Sequence, residues 1–151
     1  MLLNVNRRQY CKTPLSILWC FSTLGSQKIK YYFGDERCVS PDHQDSNYGM
    51  VKRALFSNGI PKDCKVTRMK GEVANREAAV KNYEQMLPES IDVLLLSVGQ
   101  DGHIASLFPL SNAQNAKNNI SHFFCWPKTA SERLTITPHV INSAKSTFLF
   151  T

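Results

Sequence analysis

Two short segments carry the residues best suited to chemistry. Gly99-Gln100-Asp101-Gly102-His103 follows soon after the apolar run Leu94-Leu95-Leu96, and Gly34-Asp35-Glu36-Arg37 directly follows a strand-like run ending at Phe33. In parallel α/β sheets ligands bind beyond the carboxyl ends of the strands, where both segments would fall. Gly99 and Gly102 allow close backbone approach to a ligand, and His103 is the residue type that titrates near neutrality. Each segment also has a plainer reading. Three charged residues after a strand can form a solvated turn, Asp-Gly is a common turn dipeptide, and a loop histidine is usually satisfied by its neighbours.

The elements that must position these segments alternate between apolar runs and helical patterns, which marks an α/β chain. Thr13 as N-cap and Pro14 at the first helical position open a helix reaching about Leu24, followed by a strand from Ile29 to Phe33. Ser46 or Asn47 caps a helix running to Phe56, and Lys65 to Met69 reads as a short strand. Arg76 to Leu87 predicts a helix with Ala79, Tyr83, Met86 and Leu87 on one face and Pro88 as its stop. Ile91 to Leu96 is almost continuously apolar, as expected for a parallel strand covered on both faces. Ser121 to Trp126, Arg133 to Thr137 and Thr147 to Phe150 are further strands, with a short helix from Pro138 to Ala144. The polar stretch from Ser111 to Asn119 reads as a surface loop or a short exposed helix. No internal repeat or domain boundary interrupts the pattern, so residues 1–151 are read as a single domain.

Composition narrows the function classes. An apolar share of 42% in 151 residues supplies a core and argues against disorder. A net charge of +6 favours an anionic partner without choosing among a phosphate ester, a nucleic acid and a membrane. The basic residues are scattered rather than clustered, which points away from nucleic acid. Five cysteines, none spaced C-x-x-C, and four dispersed histidines offer no zinc-ligand spacing, so no metal is expected and reduced thiols are. Arg7, Arg8 and Lys12 ahead of the run Leu15 to Phe21 outline a secretory or twin-arginine signal. The run is short and holds Trp19 and Cys20, however, and Thr13-Pro14 starts a helix there, so the cytoplasm is the expected location. No segment is long enough to cross a bilayer.

Taken together, the two segments match a known family. Asp35-Glu36-Arg37-Cys38-Val39, followed by Asp45-Ser46-Asn47-Tyr48, resembles the DERxVP…SN block of 6-phosphogluconolactonases. Asp101 to Pro109 (DGHIASLFP) resembles their DGHTASLFPG block, and Pro127-Lys128 with Glu132 to Thr137 resembles PKPP…RITLT. The resemblance implies an open, Rossmann-like, mostly parallel sheet flanked by helices, shared with glucosamine-6-phosphate deaminases and ribose-5-phosphate isomerases. It implies hydrolysis of 6-phosphogluconolactone to 6-phosphogluconate, a step of the oxidative pentose phosphate pathway. The partner is then a phosphorylated sugar lactone, with no metal, organic cofactor, nucleic acid or membrane. His103 becomes the general base and Asp101 the residue that orients it. Arg37 and Lys128 are the phosphate ligands, with Arg133 behind them. Asn47 can hydrogen-bond either a sugar hydroxyl or the loop backbone. Gly99 and Gly102 shape the turn, Thr13 belongs to a phosphate loop, and Asp35 and Glu36 hold loops or basic side chains.

The chain also departs from the family pattern. Deaminases resemble GHIAFNEP at this point, which Ile104 matches, but Ser106-Leu107-Phe108 stands where their Phe-Asn-Glu would be. The lactonases' Gly-Gly-x-Thr-Pro loop is represented by Tyr10-Cys11-Lys12-Thr13-Pro14, without its glycines and without a strand before it. Ser97 and Leu110 replace two further glycines, and the chain stops at Phe150-Thr151 in a strand-like run. The sheet is therefore expected to be incomplete relative to the family. A noncatalytic fragment of such an enzyme, marginally stable and nearly inactive, is the alternative reading, with a deaminase-like enzyme behind it.

Overall fold

The alternation of apolar runs and helical patterns folds into two sheets. The computed structural model describes residues 2–3, 28–109, 111–125 and 131–150. Along them run β1 (Leu2–Leu3), β2 (Lys30–Phe33), β3 (Asp35–Arg37), α1 (Asn47–Leu55), β4 (Lys65–Thr67), α2 (Arg76–Met86) and β5 (Val93–Ser97). A 3-10 turn (Asn112–Asn115), β6 (Ile120–Cys125), β7 (Ser131–Ile136), α3 (Pro138–Asn142) and β8 (Ser146–Phe150) complete the order. The larger sheet is parallel throughout, in the order β4-β2-β1-β5-β8. Leu94, Leu95 and Leu96 are all buried, as the continuous apolar run requires of an inner strand. The order moves one way from β1 through β2 to β4, then returns to β5 and β8 on the other side of β1. The switch point thus lies between β1 and β5, the place where such sheets open a ligand crevice.

The smaller sheet is antiparallel, in the order β3-β7-β6. Successive residues of a strand point to opposite faces. One face therefore carries Asp35 and Arg37 with their register partners Thr135 and Arg133, and the other carries Glu36, Leu134 and His122. Helix α2 is fastened on the Glu36 side, where Arg76 binds Glu132 and Glu84 accepts from the Ile120 N–H at 3.0 Å. Tyr83, on the same helix, ties in the larger sheet. Its hydroxyl accepts from the Phe33 N–H at 2.7 Å and donates to the Phe33 carbonyl at 2.9 Å.

The structure corrects three expectations. A strand does precede Thr13: Leu2 and Leu3 fill the central slot, pairing with Tyr32 and Phe33 on one side and with Leu94 and Leu95 on the other. Two residues suffice to bridge both neighbours but are too few to show an alternating pattern. Asp35 to Arg37 is a strand whose two carboxylates are buried, not a solvated turn. Met86 is 41% exposed because it lies in the last turn of α2, past the face on which Ala79 and Tyr83 are buried. The polar stretch after Ser111 is, as expected, mostly exposed, with a short 3-10 turn in which Ala113 is buried. The helix expected over residues 14–24 lies outside the described residues.

One carboxylate decides how β3 meets α1. Glu36 accepts from the N–H groups of Arg37 (2.8 Å), Asn47 (2.7 Å) and Tyr48 (2.8 Å) and from the Ser46 hydroxyl (3.1 Å). Ser46 in turn caps the helix by accepting from the Gly49 N–H at 3.0 Å. An anion suits the orphan donors and dipole of a helix N-terminus. Glu36 is only 3% exposed, and burial raises its pKa above the ordinary carboxylate value although the three backbone N–H groups oppose that. A carboxyl with a raised folded-state pKa contributes stability that is fully present below its unfolded pKa and lost as pH rises through the folded one. Denaturant unfolding should therefore show stability falling from about pH 4 towards neutrality. Glu36→Gln should be less stable than the parent, because an amide NH2 faces donors, and should flatten that slope. An unchanged slope would assign the pH dependence to another group.

Candidate active site

The turn after β5 closes on itself. The Gly99 N–H donates to the His103 carbonyl at 2.8 Å, and the Gly102 N–H donates to the Gly99 carbonyl at 2.9 Å. Gly102 has φ +81°, a left-handed conformation that favours glycine. Gly99 is required for a different reason: a Cβ there would overlap the His103 ring and press on Asp101 Oδ1. The turn thereby brings His103 Nδ1 into hydrogen-bond contact with Asp101 Oδ1. An imidazole whose Nδ1–H points at a carboxylate carries its basic lone pair on Nε2. The Phe108 ring stacks against the imidazole, with centroids 4.4 Å apart and planes 26° apart.

A second set of contacts joins this loop to the smaller sheet. Ala105, with φ +51°, turns the chain so that Ser106 enters the protein, where it is fully buried. The Ser106 hydroxyl donates to Asp35 Oδ2 at 2.6 Å, and its N–H donates to Thr135 Oγ1 at 3.1 Å. Asp35 also accepts from the Asn47 amide at 2.9 Å and lies 3.9 Å from Arg133 Nη1. The Arg133 guanidinium sits 5.9 Å over the other partner of His103, the Phe108 ring. Arg37, directly opposite Arg133 in the β3–β7 register, donates from Nη1 to Asn47 Oδ1 at 2.5 Å and to the Asp45 carbonyl at 2.8 Å. Buried Arg37 Nε has no hydrogen-bond partner among the described residues.

The residues singled out in the sequence separate into groups. Asp101, His103, Gly99 and Gly102 form one turn, at the switch point of the larger sheet. Arg37, Arg133 and Asn47 gather on one face of the smaller sheet, linked to that turn through Phe108 and Ser106. Both ends of the Asn47 amide are engaged by Asp35 and Arg37, so its contacts here are with protein. Thr13 and Lys128 lie outside the described residues. Sequence reasoning assigned no role to Ser106 or Phe108, although both stand inside the Asp101 to Pro109 run. Their partners Asp35 and Arg133 are far away in the chain, and nothing in a loop serine or phenylalanine announces such a contact.

Comparison with known proteins bears on what this arrangement belongs to. Residues 13–151 match the family of glucosamine-6-phosphate isomerases/6-phosphogluconolactonase. The 6-phosphogluconolactonase 3 of Saccharomyces cerevisiae is 36% identical over 131 residues, covering 79% of this chain and 52% of the relative. The 6-phosphogluconolactonase of Treponema pallidum is 30% identical over 131 residues, covering 82% of this chain and 54% of its own length. The chain thus spans about half the length of these curated relatives. The crystal structure of a Thermotoga maritima 6-phosphogluconolactonase superposes with a TM-score of 0.78 at 26% identity, over 92% of this chain and 65% of that one. A Trypanosoma brucei 6-phosphogluconolactonase superposes with a TM-score of 0.67 at 29% identity, over 79% and 56%. The chain belongs to the family of glucosamine-6-phosphate isomerases and 6-phosphogluconolactonases.

Proposed function

We propose that this chain carries the site for hydrolysis of 6-phosphogluconolactone to 6-phosphogluconate, a carboxylic ester hydrolysis. The observation that carries the reading is the Asp101–His103 pair, set in a closed turn at the switch point. Lactone opening needs an activated water, and an imidazole oriented by a carboxylate is suited to supply it. In the proposed mechanism His103 Nε2 takes a proton from water as its oxygen attacks the lactone carbonyl carbon. The tetrahedral intermediate collapses with cleavage of the ring C–O bond, and the leaving oxygen takes the proton back from the imidazolium. Asp101 stabilises the imidazolium between the two transfers. No redox step or organic cofactor enters.

Arg37, Arg133 and Lys128 are proposed to bind the phosphate, with Asn47 positioning Arg37. His103 and the Arg133 guanidinium both approach the Phe108 ring, which puts the proposed base and a proposed phosphate ligand at one aromatic side chain. Such a small, charged substrate does not pass membranes, so our reading keeps the enzyme in the cytoplasm. Among the described residues no helix is long and apolar enough to cross a membrane. A deaminase reading has less support, because Phe108 stands at the position of the deaminase glutamate and stacks on His103.

Lactone hydrolysis measured against a no-enzyme control tests the base. His103→Ala should lower the catalysed rate by about 10²–10⁴-fold. Full activity in that variant would place the base elsewhere, and a folded parent chain with no rate above background would favour the noncatalytic fragment. Gly99→Ala should also lower the rate, by displacing the ring, while leaving the unfolding transition nearly unchanged. An active Gly99→Ala enzyme would sink the positioning role given to the turn. Phosphate recognition is tested by binding of 6-phosphogluconate and of gluconate. Arg37→Ala or Lys128→Ala should weaken the first by about 1.5–3 kcal/mol and spare the second. Equal losses for both ligands would mean that these residues hold the fold.

A further inference from the structure

The smaller sheet has a second cluster of chemically capable groups, on the face turned away from Asp35, Arg37 and Arg133. We infer that Cys38, His122 and Glu132 form a binding site for a borderline-soft divalent cation such as Zn2+, separate from the Asp101–His103 pair. Their Sγ, imidazole nitrogen and carboxylate oxygen lie within 4.8 Å of one another. Three atoms at that spacing surround a point roughly 3 Å from each, so movements of under about 1 Å reach zinc bond lengths. The three come from neighbouring strands. Cys38, just past β3, donates its N–H to the Glu132 carbonyl at 3.0 Å, and His122 stands opposite Leu134, two residues along β7 from Glu132.

The surroundings already hold the ligands in place. Glu132 Oε2 accepts from Arg76 Nε at 2.8 Å and from Arg76 Nη2 at 2.6 Å, which leaves Oε1 facing His122 Nε2 at 3.5 Å. That imidazole nitrogen is buried and, apart from the facing Glu132 carboxylate, meets no hydrogen-bond partner among the described residues. Arg76 also keeps Glu132 ionised, holding its carboxyl below the ordinary value. A thiolate, an imidazole and a carboxylate make a mixed set suited to zinc, with a fourth position left for water. Burial pushes the Cys38 thiol up to about 11, so without a cation it is protonated and a poor nucleophile. Binding then breaks the Cys38 S–H bond, sends that proton to solvent and forms a metal–sulfur bond, while neutral His122 and the Glu132 carboxylate donate lone pairs. The sequence shows no ligand spacing because sheet register, not chain proximity, assembles the set.

The test uses the whole chain, stripped with a chelator and titrated with Co2+ and then Zn2+. One equivalent of Co2+ should bind with a thiolate-to-metal charge-transfer band, and Zn2+ should displace it. Zn2+ at a hundredfold excess over its Kd should raise the melting temperature by about 8 °C. Cys38→Ser should abolish the band, and Cys38→Ser and His122→Gln should each weaken binding at least about 10-fold and cancel the thermal shift. Metal-free melting, compared for all variants, separates lost ligation from lost folding, and His122→Gln gives the readout without touching the end of β3. His43→Ala, at an exposed histidine elsewhere, should change nothing. Absence of the band in the parent chain would overturn the site. So would tight binding that survives both substitutions, since the cation would then sit on other cysteines and histidines.

Discussion

Much of this architecture depends on where one buried carboxylate points. Glu36 gathers three backbone N–H groups and the Ser46 hydroxyl, and so fixes strand β3 against the N-terminus of α1. Because strand residues alternate, fixing Glu36 on one face also fixes its neighbours on the other. Asp35 is thereby presented to Ser106 and Asn47, and Arg37 to Asn47 and the Asp45 carbonyl. The arrangement works against stability, since burial disfavours the charged form that the four donors need. Such groups are better understood as specifying a geometry than as strengthening a fold.

From Asp35 the order passes into the loop that carries the proposed base. The Ser106 hydroxyl and N–H bind the smaller sheet, while the turn before them hangs from the larger one. The loop is therefore clamped at two points, and His103 lies between them, held by Asp101 and by the face of Phe108. Clamping both ends of a short loop restricts the imidazole more tightly than a single-ended turn could, and catalytic geometry requires that.

The sequence was informative where physics is local. The apolar run before Ser97, the cap at Ser46, the stop at Pro88 and the turn at Gly102 are all set by nearby residues, and all appear near their expected places. The His103–Asp101 contact was legible for the same reason, because a single residue separates the partners. What escaped was long-range. β1 is too short to carry a periodicity, and Asp35 and Glu36, expected to hold loops or basic side chains, do so through partners that their own segment does not reveal. The Ser106–Asp35 bond and the Arg76–Glu132 pair likewise depend on the register between strands, which composition does not reveal.

The two-residue strand at the centre of the larger sheet sets a mechanical condition. Leu2 and Leu3 join a wing made of β2 and β4 to a wing made of β5 and β8. Arg37 follows the first wing and His103 the second, so the proposed base and phosphate ligands sit on opposite banks of a narrow seam. Short ladders fray readily, and their amides exchange early. The Ser106–Asp35 hydrogen bond crosses the same seam farther along. It acts as a second stitch, keeping the banks in register during openings of the first.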